Sequence, residues 1–155
     1  MDRRWIGSWL GGPRAAQQAP EQSLGYPGER LGLPENGPGS AAPLGRRVGA
    51  IFVDWLACLL IVRGFLGADQ SSTLGSLGVP GLFALEYLVL LPTVGFTVGM
   101  RLFGLRVTGL EGRIPSFRAT AVRTVLLLLA VPALIWDRDG RGLHDRASGT
   151  VVRRR

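Results

Sequence analysis

The chain of 155 residues contains no lysine, one cysteine and one histidine, and each shortage removes a class of chemistry. Without lysine there is no Gly-Lys-Ser/Thr core, so the glycine-flanked stretch GLRVTGLEG is not a phosphate loop. With Cys58 alone no intramolecular disulfide forms, and with His144 alone no second histidine completes a metal site. Cys58 sits in an apolar run and reads as a small buried apolar residue. His144 beside Asp145 reads as a local hydrogen-bonding pair. No nucleophile and base are arranged for hydrolysis. The sequence therefore points away from an enzyme and calls for no cofactor and no metal.

What is present is arginine and apolar surface. All 18 basic residues are arginine, the net charge is +7, and 46% of residues are hydrophobic. A nucleic-acid binder is expected to carry a soluble basic face with aromatics for stacking. Here the arginines bracket apolar runs instead, as around membrane segments that meet anionic headgroups, so nucleic acid is not an expected partner. The runs are Val48–Val62, Val79–Met100 and Thr124–Trp136. A bilayer core of about 30 Å needs roughly 20 mostly apolar helical residues. The second run meets that length. The first does so with its flanks, Arg47 snorkelling at one end. The third needs a start near Arg118, with Arg123 pointing back to the headgroups.

The expected architecture is an all-α membrane protein, a small bundle of about three transmembrane or membrane-embedded helices near residues 47–66, 79–100 and 119–136, with a disordered N-terminal arm. Residues 1–43 hold six of the ten prolines and many glycines, a composition that cannot bury enough apolar surface to offset chain entropy. Within that arm Trp5, Ile6, Trp9 and Leu10 could share one face of a short interfacial helix. The start is too short and polar for a signal-peptide core. Residues 153–155 form a basic tail end.

Orientation follows from charge. The loop 101–118 carries Arg101, Arg106, Arg113 and Arg118 against Glu111, and Arg46 and Arg47 close the arm, whereas the loop 63–78 is nearly uncharged. Basic residues collect on the cytoplasmic side, which places the arm and the 101–118 loop on the inner face of the membrane, with the four loop arginines on anionic lipid headgroups. Three full spans then put the tail outside, although it is arginine-rich. Pro132 and the short third run leave room for a re-entrant or interfacial segment. Leu105–Thr108 and Arg113–Ile114 flank a turn and predict a small hairpin. Gly95 and Gly99 make one GxxxG.

Two acids lie within the runs. An ionised carboxylate in a membrane helix costs at least about 2.5–3.5 kcal/mol and faces protein or water. Asp54 follows Arg47 by seven residues, on one stripe but about 10 Å along the axis. Side chains lean toward the helix N-terminus, which carries Asp54 toward Arg47 but Arg47 away from it, so each is expected to meet groups from elsewhere. Counting from Arg101, Glu86 lies about 22 Å deep, which leaves the two acids about 12 Å apart in depth.

RVGAIFVD, Arg47–Asp54, resembles the R-x-x-A-x-x-x-D opening of the RDD family of bacterial membrane proteins. GFTVGMRLFGLRV resembles its G-x-T-x-G-K-x-x-x-G-L-R-V pattern, with Phe96 where the family often has Gln and Met100 where it often has Lys. In LHDRASGTVV, Asp145 corresponds to the second family aspartate. The three motifs cover residues 44–152 in order. The resemblance implies a multi-pass membrane protein, and cation/proton exchange has been proposed for some members. Arg47, Asp54 and Asp145, with Glu86 further along, form the candidate polar cluster for an ion or proton. The other reading is a membrane scaffold or partner subunit whose buried charges fix helix packing. Three short helices make a narrow bundle, so transport calls for a homo-oligomer.

Overall fold

The computed structural model describes residues 25–129 and 140–155. The first long helix, α1, runs Leu44–Leu59 and continues as a π-helical stretch over Leu60–Phe65. A loop at 66–72 reverses the chain into α2, Thr73–Thr93. The short helix α3, Val98–Leu102, leads into β1, Leu105–Gly109. Then come α4, Phe117–Leu128, α5, Leu143–Ala147, and β2, Thr150–Arg154. Helices dominate, but the small sheet makes the all-α expectation an approximation.

Each long helix buries one stripe. On α1 the buried positions are Arg47, Ala50, Asp54 and Cys58, a spacing of three or four that keeps them on one face. On α2 they are Gly75, Val79, Phe83, Tyr87 and Leu91, one every four residues. The two stripes meet where Tyr87 OH donates to Asp54 Oδ2 at 3.2 Å, and beside that contact Phe83 stacks on Tyr87 at 4.4 Å and Trp55 lies edge-on to Phe83 at 5.5 Å. In the reversing loop Ser71 Oγ donates to Asp69 Oδ2 at 3.0 Å, and this bond holds the Asp69 carboxyl below its usual range.

The remaining faces are apolar and exposed. Phe52, Leu60, Phe65, Leu77 and Leu85 all point away from the fold. Leu44–Phe65 and Thr73–Thr93 are 22 and 21 residues long, about 33 and 32 Å at 1.5 Å per residue, enough to cross a bilayer. In their most apolar 18-residue windows only 22% and 28% of positions are buried. The core helix of a soluble domain would be buried over most of such a window. Exposed apolar surface this continuous marks contact with lipid or with a partner.

The second helix does not occupy 79–100. It starts at Thr73 because Ser72 caps it, the hydroxyl accepting from Gly75 N at 3.0 Å. It stops at Thr93 because Gly95, at φ +80°, turns the chain and returns its N–H to the carbonyls of Leu90 and Leu91. Thr97 then caps α3, its hydroxyl accepting from Met100 N at 3.2 Å. Gly95 and Gly99 are thus a turn residue and a helix residue, not a GxxxG on one helix. In the third run α4 covers 12 residues, and residues 130–136 of the expected span lie outside the described ones.

The predicted hairpin is replaced by a longer-range pairing. Gly109 N does bond to Arg113 O at 2.8 Å, but β1 pairs antiparallel with β2, Leu105 opposite Arg154 through Gly109 opposite Thr150. The β-branched run Thr150-Val151-Val152 supplies a better apolar partner for Leu105 and Val107 than Arg113–Ile114 does. Leu105, Val107, Val151 and Val152 are all buried.

Part of the expected disordered arm also has structure. Residues 39–42 lie along the other edge of β2, with Gly39 N to Arg154 O, Arg154 N to Ser40 O and Ala42 N to Val152 O each 2.9 Å. Leu33, Ser40 and Ala42 are buried. The strand edge satisfies backbone groups that a Pro/Gly-rich segment cannot pair within itself. Residues 1–24, including the tryptophan-bearing start, lie outside the described residues.

This sheet fixes which end of the fold holds the tail. Residues 39–42, 105–109 and 150–154 are hydrogen-bonded together, so the tail shares one end of the fold with the start of α1 and the 101–118 loop. Three full crossings would put it at the other end, whereas the re-entrant or interfacial alternative for the third run allows this placement. In a Cys58→Ser background, Glu111→Cys and Arg146→Cys should therefore react with an impermeant maleimide from the same side of the membrane, and Gln70→Cys from the opposite side. Labelling of Glu111→Cys and Arg146→Cys from opposite sides would contradict the pairing.

Candidate functional site

The buried polar residues form two groups. In the first, Asp145 sits in the first turn of α5, where Oδ2 also accepts from Gly142 N at 3.3 Å. Arg47 Nη1 reaches Oδ2 at 3.1 Å and donates to Gly140 O at 2.7 Å. Arg123, on α4, pairs with Oδ1 and donates to Thr150 Oγ1 at 3.2 Å. His144 Nε2 is 3.5 Å from Oδ1. Asp145 is 0% exposed, Arg47 5% and Arg123 2%. One carboxylate thus joins α1, α4, α5 and the start of β2.

Neither arginine snorkels. Arg47 and Arg123 are turned inward, because Asp145 offers each guanidinium a charge-assisted hydrogen bond in a water-poor site, where such bonds are strong. Arg123 as a cluster member was missed in the sequence. Its signal is the stripe Thr120, Arg123, Thr124 and Leu127, all buried on α4, which has the i, i+3, i+4, i+7 spacing of a core face.

The second group is centred on Asp54. Oδ1 accepts from Gly99 N at 2.6 Å, and Oδ2 from Thr97 Oγ1 at 2.6 Å and Tyr87 OH at 3.2 Å. Glu86 Oε1 accepts from Val98 N at 3.3 Å, and Cys58 Sγ lies 3.9 Å from Oε2. The Asp54 and Glu86 carboxyls are electrostatic neighbours, bonded to the adjacent N–H groups of Gly99 and Val98. Two acids from two helices therefore clasp consecutive N–H groups at the start of α3. Asp54 is completely buried and Glu86 half-buried.

The depth count failed at α2. It assumed one straight helix to Arg101, whereas the chain turns at Gly95 and folds α3 back onto α1, which brings Glu86 level with Asp54. Close approach depends on Gly99, where a Cβ would run into the Ala50 carbonyl and Asp54 Oδ1. Phe96 receives the guanidiniums of Arg101 at 5.5 Å and Arg155 at 4.7 Å over its ring, a cation–π arrangement. Met100 is buried in the core. Neither makes a polar contact with the acids.

The structure therefore divides the four predicted cluster residues. Arg47 and Asp145 meet each other, Asp54 and Glu86 meet each other, and Asp145 is not a hydrogen-bond partner of Asp54. Arg101, Arg106, Arg113 and Arg118 are exposed at the sheet end of the fold. Among the described residues no group of three or more His, Cys, Asp or Glu side chains is placed to hold a metal.

Two long apolar helices with exposed flanks, and buried charges paired with one another among the described residues, point to a small helical membrane protein. The chain belongs to the RDD family, which it matches over residues 41–149. No curated protein and no solved structure matches it.

Proposed function

We propose that this RDD protein is a multi-pass protein of the bacterial inner membrane that handles a proton or small cation at the Asp54–Glu86 pair, and that it catalyses no reaction. The observation that carries this reading is the difference between its two buried acids. Asp145 is neutralised by arginine, as a packing element would be. Asp54 faces only neutral donors and a second carboxyl among the described residues, an arrangement with room for a positive charge. Oxygen donors from Asp54, Glu86, Thr97 and Tyr87 suit a proton or a hard cation, and ionisable groups inside a membrane segment mark ion pathways by default.

In this reading the arm and the 101–118 loop face the cytoplasm, following the positive-inside rule. Arg101, Arg106, Arg113 and Arg118 meet anionic headgroups, and copies of the chain assemble to enclose a path. The alternative, a non-transporting scaffold or partner subunit, is favoured by the arginine–aspartate cluster, which joins four elements and has no evident moving part.

Protein reconstituted in liposomes decides between them. Under an imposed proton or sodium gradient, wild type should dissipate the gradient, and Asp54→Asn and Glu86→Gln should each lower the initial rate by about tenfold or more, the equivalent of about 1.4 kcal/mol on the barrier. Arg118→Gln should leave it unchanged. An apolar carbodiimide, which attacks protonated carboxyls, should modify Glu86 and stop the flux. If wild type moves neither ion, or if both acid variants move as much as wild type, the scaffold reading stands.

A further inference from the structure

A cavity of about 460 Å³ lies between α1, α3 and the sheet, within the range of about 300–1,000 Å³ of ligand pockets. Its mouth and floor are distinguished by exposure. Leu44 and Val48, about half exposed, stand at the mouth on the lateral face of α1, whereas Leu105 and Val152 are buried. The walls are largely apolar. The polar groups reaching it are the guanidiniums of Arg47 and Arg123 and the His144 ring, and no described carboxylate lines it.

Arg123 supplies the second observation. Its side chain is 3% exposed and lines the cavity, and its Nε has no hydrogen-bond partner among the described residues. A buried donor left unmade is costly, and more so when it is charged. Two guanidiniums also share the single Asp145 carboxylate, so this end of the cavity keeps a net positive charge that an entering oxygen anion would meet. Arg47 lies three residues inside the start of α1, about 5 Å along the axis, so this end of the cavity is at headgroup height if α1 crosses the bilayer.

We infer that the cavity binds one anionic phospholipid, which enters sideways between Leu44 and Val48 with its phosphate toward Arg123 and the first part of an acyl chain along Val48, Ile51 and Met100. Apolar walls select the chain, and a floor of donors alone selects the negative head. This is a defined site inside the fold, separate from the exposed loop arginines that meet headgroups at the surface. The inference rests on the membrane reading, which retention in vesicles after an alkaline wash tests separately.

Purified protein in phosphatidylcholine vesicles doped with phosphatidylglycerol carrying a photoactivatable group near the top of one acyl chain provides the test. Label should concentrate in peptides spanning 44–51 and 98–105. Excess unlabelled phosphatidylglycerol should remove it, whereas phosphatidylcholine or inorganic phosphate at the same concentration should not. Ile51→Trp, which fills the cavity without touching the Asp145 cluster, should abolish the label while the melting temperature stays near that of wild type. Arg123→Gln should weaken labelling by about tenfold, the loss of one charge-assisted hydrogen bond. Label spread evenly over all lipid-facing peptides, equal competition by phosphatidylcholine, displacement by inorganic phosphate, or full labelling of folded Ile51→Trp would each overturn the inference.

Discussion

Asp145→Ala is expected to destabilise the protein by about 3–5 kcal/mol, the usual cost of removing one partner from a buried ion pair, and to do so more severely than either arginine substitution. Asp145 serves two guanidiniums, one from α1 and one from α4, so its loss leaves two buried cations facing each other. The measurement is thermal unfolding in detergent, with Arg47→Met and Arg123→Met as single-site comparisons. The triple variant Arg47→Met, Asp145→Leu, Arg123→Met should recover much of the loss, because an apolar replacement of a whole buried charge cluster is often neutral or stabilising. An Asp145→Ala protein that unfolds at the wild-type temperature would show that the cluster holds nothing together.

Gly99→Val should have the second largest effect, for a steric reason. The new Cβ would meet the Ala50 carbonyl and Asp54 Oδ1, both on the buried stripe of α1. Overpacking costs about 1–3 kcal/mol, and losing the Gly99 N–H bond to a carboxylate adds roughly 1.5–3 kcal/mol. The variant should therefore melt well below wild type. Cys58, buried beside Glu86, should become reactive toward maleimide as α3 lifts away. Wild-type melting and an unreactive Cys58 would mean that α3 does not pack as described.

The sequence carried the long elements and the charged positions better than their partners. The apolar run after Arg47 gave α1 because one bilayer-length segment with a single buried stripe has little choice of conformation. Asp54 could be marked as a residue needing company because an acid in such a run is expensive. Its partners could not be read, since they depend on the turn at Gly95. A run that reads as continuously apolar from Val79 to Met100 hides that turn. Hydropathy does not register a positive φ angle, and the depth of Glu86 was miscounted for the same reason.

The sheet was only partly legible. Leu105–Thr108 reads as an extended arm of a hairpin, but its partners at 39–42 and 150–154 are far away in the chain and each is short enough to pass as loop. Arg123 was misread because arginine near an apolar run usually snorkels. Only the placement of Asp145 turns it inward, and Asp145 lies beyond the residues that form α4.

The bond between Arg47 and Asp145 spans 98 positions of the chain. At about 5–20 residues per second of synthesis, roughly 5–20 s separate the two during translation. Through that interval α1 exists with its inward-facing arginine and without its acid. The partner is made only after α1 to α4, together with the strand that closes the sheet. Locking of the described helices therefore waits for the segment around Asp145, and a ribosome stalled shortly before it would hold α1 and α2 without the ion pairs that tie α1 to α4 and α5.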